Sequence, residues 1–153
     1  MRGLSFEIPN KYGQYLFDIL NAFDFKQYVW KTGGEEAYYI ENDELGTPLF
    51  PKPHVYTGGE LYKRISETDY YVLFADLKAF PDPLHVKDIT TYEEFLDSQC
   101  EFVLLLVDCS YVTIYAKNPE VITTVYAKAI ASEYENVVYI TDENDGRTTL
   151  VAF

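Results

Sequence analysis

Apolar and polar positions alternate along this chain with two periods, and the periods set out its elements. Leu4, Phe6 and Ile8 alternate with Ser5 and Glu7, which predicts a half-buried strand over 2–8. Pro9-Asn10 stops it. Tyr12, Tyr15, Leu16, Ile19, Leu20 and Phe23 then recur at helical spacing and predict an amphipathic helix over 11–23. Gln27–Trp30 and Ala37–Ile40 flank Gly33-Gly34 and read as a hairpin. Thr57-Gly58-Gly59-Glu60 has capping-box spacing, with Leu61 and Ile65 on one face of a short helix over about 58–66. Two runs, 70–75 and 102–107, are continuously apolar rather than alternating, which suits strands covered on both faces. Between them Thr91-Tyr92-Glu93-Glu94 opens a helix to about Ser98. Strand, helix and strand at this spacing predict a parallel, right-handed crossover, with the two runs as adjacent central strands.

Alternation returns after Asp108. Val112, Ile114 and Ala116 fall on one face and Tyr111, Thr113 and Tyr115 on the other, the pattern of an antiparallel hairpin partner. Asn118-Pro119 reads as a cap followed by a first-turn proline, opening a helix over 119–134. Val137–Thr141 and Thr148–Phe153 complete the chain as a hairpin around Asp145-Gly146. The only linker-like stretch, Asn42–Pro53, is short, and a second irregular piece runs over 80–86. The expectation is one α+β domain over 1–153, two layers deep, with a mixed, partly antiparallel sheet and about four helices.

Composition narrows the function. The chain has 25 Asp and Glu against 12 Lys and Arg, a formal net charge of -13, spread evenly along its length. Nucleic-acid binding needs clustered Lys and Arg to neutralise phosphate, so it is disfavoured. Docking on anionic lipid by charge is disfavoured for the same reason. No signal peptide and no apolar run long enough for a membrane span are read, which points to a cytoplasmic protein. Cys100 and Cys109 bracket an apolar strand and are expected to be free thiols. No cofactor is implied.

Candidate chemistry is sparse. Asp76 and Asp108 each follow an apolar run, and if the runs were parallel neighbours both carboxylates would face the same end of the sheet, where ligands bind in open α/β sheets. Such a pair could hold a divalent metal or divide acid and base roles, with Lys78 nearby in sequence. The plainer reading is that each Asp ends its strand and solvates a turn. Asp142-Glu143-Asn144-Asp145-Gly146 has a superficial likeness to a calcium loop, but Gly146 stands where a ligand is needed, so a turn is the better reading. Gly58-Gly59 lacks a phosphate-loop pattern, and Glu60 repels anions. His54 and His85 lie in separate irregular segments with no nucleophile beside them. The 15 tyrosines are more suggestive. Tyr111 and Tyr115 share one face of a strand, and tyrosine joins contact area to a polar tip, as protein interfaces require. These observations favour a non-enzymatic binding module, inhibitory or immunity-like, for a basic protein partner. The competing expectation is a small hydrolase or metal-dependent ligand-binding enzyme using Asp76 and Asp108.

Three stretches carry a family likeness: Phe6-Glu7-Ile8-Pro9-Asn10-Lys11-Tyr12-Gly13, Phe74-Ala75-Asp76-Leu77-Lys78-Ala79, and Tyr139-Ile140-Thr141-Asp142-Glu143-Asn144-Asp145. Together they resemble a family of small acidic Bacillus-type proteins catalogued as a domain of unknown function. The resemblance spans nearly the whole chain. It implies a bacterial cytoplasmic protein and brings no activity or functional residues with it.

Overall fold

The computed structural model describes residues 1–152. Nine strands and four α-helices follow one another as β1 (Gly3–Glu7), α1 (Tyr15–Leu20), β2 (Val29–Thr32), β3 (Glu36–Glu41), β4 (Glu44–Pro48), β5 (Val55–Thr57), α2 (Gly58–Ser66), β6 (Tyr70–Phe80), α3 (Tyr92–Asp97), β7 (Phe102–Val107), β8 (Tyr111–Ala116), α4 (Pro119–Ala131) and β9 (Glu135–Ile140). The sheet runs in the order β4-β3-β6-β7-β8-β1-β9, with β2 beside β6 and β5 beside β2. The result is a two-layer α+β domain, as the pattern predicts. Among the described residues no helix is long and apolar enough to cross a membrane.

Local chemistry explains the helices. The Thr57 hydroxyl accepts from Glu60 N while the Glu60 carboxylate accepts from Thr57 N, so α2 opens on a complete capping box. Thr91 caps α3 through Glu94 N, and Asn118 caps α4 through Glu120 N ahead of Pro119. α1 is shorter than its periodicity suggests, because Gly13 exchanges two backbone hydrogen bonds with Tyr70 and so cannot begin a helix. α4 ends at Ala131 rather than near 134, where Glu133 takes a left-handed φ of 60°.

β6 and β7 are neighbours near the middle of the sheet, and β7 is covered on both faces. Phe102, Leu104 and Leu106 join the core under α1, α2 and α4, while Val103 and Leu105 join a second cluster with Phe80, Phe95, Tyr115 and Leu150. The parallel crossover expected here is corrected. β6 and β7 pair antiparallel, from Ala75↔Leu106 to Ala79↔Phe102, and every pairing among the described strands is antiparallel. The reason lies in the true length of β6. It continues through Asp76 and Lys78 to Phe80, so the chain leaves at the end where β7 begins, and Glu101 N donates to Ala79 O.

The hairpin expected around Gly33-Gly34 is also corrected. β2 and β3 lie in succession along one edge of β6, Val29↔Phe80 to Thr32↔Leu77 and then Glu36↔Phe74 to Tyr39↔Tyr70. Residues 33–35 interrupt that edge without reversing it, and Gly33 N still donates to Asp76 O at 3.2 Å. The actual reversal comes at Asn42-Asp43, whose φ values of 54° and 62° suit a primed hairpin turn between β3 and β4. The last expected hairpin does not form either. Residues 148–152 are not a strand; they cross the second face of the sheet, with Leu150 N donating to Thr90 O. Phe153, the end of that expected strand, lies outside the described residues.

Candidate functional site

Two regions concentrate polar chemistry. The first is the break between β2 and β3. Asp76 and Lys78 point from β6 onto the second face, 8% and 5% exposed, and the Lys78 ammonium donates to Asp76 Oδ1 at 2.5 Å. Asp76 Oδ2 accepts from Ala152 N at 3.3 Å. Directly across the strand register from Lys78 stands Lys31, paired with Asp88 at 2.9 Å. Asp76, Lys78, Lys31 and Asp88, with Thr90 and Val151, line a cavity of about 200 Å³. In the break itself, Glu35 Oε1 accepts from Gly33 N at 2.6 Å, while Oε2 is buried without a hydrogen-bond partner. Burial, with the Asp76 charge adding to it, lifts the Glu35 carboxyl from its ordinary 4.5 to about 7.

Asp76 is therefore mid-strand rather than past a strand end, and its carboxylate is occupied by Lys78 and by the chain crossing beneath. Asp108 sits three residues beyond Leu105, the register partner of Asp76, in the β7–β8 turn. There Asp108 and Cys109 have φ values of 50° and 69°, and Asp108 is exposed. The turn uses a short polar side chain that tolerates the left-handed region. One aspartate is thus buried in an ion pair and the other open to solvent. Among the described residues no group of three or more His, Cys, Asp or Glu is placed to hold a metal.

The second region is the open end of the β8–β1–β9 face. Tyr111 is 54% exposed and Val138 52%, and together with Ser5, Glu7, Thr113 and Asn136 they line a hollow of about 370 Å³. Next to it, Glu7, Glu133 and Glu135 line another of about 290 Å³. Glu7 borders both hollows and accepts from Asn136 Nδ2. Tyr115, expected to share the exposed face with Tyr111, is fully buried. Its ring packs on Tyr92 and its hydroxyl donates to the Asp145 carboxylate at 3.0 Å. That proximity of Asp145, with burial as the larger effect, pushes the Tyr115 phenol up.

The remaining candidates have structural employment. Arg2 pairs with Asp142 at 2.8 Å and Asp145 at 3.1 Å while lying over the Tyr92 ring, so the calcium-like loop is held by a guanidinium. A Cβ on Gly58 would come within 2.0 Å of Lys26 O, so that glycine permits a close backbone approach. His54 packs on Tyr56 and is tied through its backbone to Thr32, while His85 contacts Asp82 at 2.8 Å. Both cysteines are free thiols, as expected, and burial pushes Cys100 up to about 12. Sequence reasoning missed Lys31, Glu35 and Asp88, because their significance arises only from strand register and from loops that meet across the sheet. The one available signal was the pair of charged residues, Asp76 and Lys78, two apart inside an apolar strand.

Residues 1–151 match the family described as "Protein of unknown function (DUF2691)". Over 149 residues the chain is 43% identical to "Uncharacterized protein YncE" of Bacillus subtilis (strain 168), with 97% of each chain covered. No solved structure matches it. The three stretches that suggested a Bacillus-type family thus lie within a likeness running almost end to end, and the chain belongs to the DUF2691 family.

Proposed function

We propose that this protein is a binding module whose partner is a protein presenting a basic segment, and that the contact face is the open end of β8, β1 and β9. The observation that carries the reading is the juxtaposition of Tyr111 and Val138, both more than half exposed, with Glu7, Glu133 and Glu135 in the adjoining hollow. An aromatic and an aliphatic anchor supply apolar contact area, and the glutamates select Lys and Arg. β9 ends the sheet order, so its outer edge can also receive an extended segment. The net charge of -13 acts in the same direction, speeding encounter with a basic partner and turning away nucleic acid. Tyr115 lies on the same side of β8 but is buried at its covered end, and is not itself a contact.

The test is affinity capture from a Bacillus lysate, followed by kinetics on the purified partner. Association should slow as ionic strength rises, and Tyr111→Ala should chiefly speed dissociation. Glu135→Lys should lower the association rate. A partner whose binding ignores both salt and these two substitutions would place the interface elsewhere.

A further inference from the structure

We propose a second site, independent of the binding face: the cavity between β2, β6 and the 88–90 segment takes a small oxyanion, a carboxylate or phosphate group, held by Lys78 and Lys31. The argument is an account of donors and acceptors. An ammonium has three N–H donors. Among the described residues Lys78 spends one, on Asp76 Oδ1, and its side chain is 7% exposed. Asp76 has both oxygens engaged, by Lys78 and by Ala152 N. Thr32 exchanges hydrogen bonds with the backbone of His54, and the Thr90 hydroxyl is turned to Glu94. Lys78 therefore keeps two N–H donors at the cavity wall, while the unpartnered acceptor nearby, Glu35 Oε2, belongs to the break and not to the cavity lining.

Strand register adds the second cation. Lys31 and Lys78 are direct cross-strand partners, an arrangement that is unfavourable for like charges unless an anion lies between or beside them. Lys31 is balanced by Asp88 in a weakly held, solvent-screened pair, the Asp88 side chain being 85% exposed. Such a partner yields readily to a better-placed anion. In a chain of net charge -13, the wall of this cavity of about 200 Å³ is neutral by count, Lys31 and Lys78 against Asp76 and Asp88, so it repels an anion less than the chain as a whole does. That volume admits an oxyanion with a short organic tail, and Ile89 and Val151 supply apolar wall for it.

The probes are sodium acetate and inorganic phosphate, titrated into the labelled full-length protein at constant ionic strength with chloride as the balancing salt. Amide resonances of Lys31, Gly33, Lys78 and Thr90 should shift saturably with at least one probe, and the probe that saturates assigns the group as carboxylate or phosphate. Lys31→Gln, at the cavity rim, should weaken binding about tenfold or more, the loss of one charge-assisted contact. The double variant Asp76→Asn with Lys78→Met removes the buried pair together, so no buried charge is left alone, and should abolish the shifts. Linear, non-saturating shifts with both probes, or saturable binding unchanged in Lys31→Gln and in a folded double variant, would overturn the site.

Discussion

Tyr111 and Tyr115 occupy the two ends of β8, four residues apart and on the same face, yet one is 54% exposed and the other 0%. Around Tyr115, α3 contributes Tyr92, and the segment after β9 contributes Asp145 and Leu150. Around Tyr111 the neighbours are Val138 and Asn136 of the bare sheet. The strand period assigns a side chain to a face, whereas chain arriving from distant positions decides whether that face is core or surface. The covered end consequently carries stability, and the bare end is left available for contact.

Four substitutions probe this difference. Tyr115→Ala opens a cavity at the covered end and should cost about 3 to 5 kcal/mol, read from the midpoint of urea unfolding. A loss below about 1 kcal/mol would mean that the covering segment is loosely held.

Glu35 is the next largest case, since it contrasts a buried carboxyl lacking a full set of partners with the satisfied Asp145. Its folded pKa of about 7 lies above the ordinary 4.5. Between these values the folded chain holds a proton that the unfolded chain has released, so stability should fall as pH rises through that window. Glu35→Gln removes the fall. The variant should match the parent near pH 4 and exceed it by about 3 kcal/mol above pH 7, as paired unfolding curves would record. Equal stability at both ends of the range would mean that the carboxylate finds compensation in the break.

Tyr115→Phe keeps the ring and deletes only the hydroxyl bonded to Asp145, for an expected loss of about 1 kcal/mol. Asp145 retains Arg2 and Arg147 N, which limits the damage. Tyr111→Ala should change stability by no more than about 0.5 kcal/mol, since the side chain is mostly in water, and its effect should appear in partner dissociation instead. A large stability loss there would make Tyr111 a structural residue and remove it from the binding face.

How far the fold was legible depended on the range of the signal. Capping residues act within four positions, and α2, α3 and α4 begin where Thr57, Thr91 and Asn118 predict. The two apolar runs became adjacent inner strands for an equally local reason: continuous apolar residues have to be covered on both sides. Gly33-Gly34 misled because glycines favour turns in general, while here the long β6 holds both flanking strands in line. The candidate sites were less legible. Asp76 was visible as a charge in an apolar strand, but Lys31 faces Lys78 only through the register of β2 on β6.

The sequence by itself determined the class of fold, the helix starts, the two central strands and the acidic character of the surface, because each follows from neighbouring side chains or from composition. Only the tertiary structure decided strand direction, the break at 33–35, the burial of Tyr115 and the cavity beside Lys78. Each of these depends on which distant segments meet. The segment at 150–152 bonds Thr90 and Asp76 across 60 and 76 positions of the chain, Leu150 to Thr90 and Ala152 to Asp76, and no local periodicity records such a meeting.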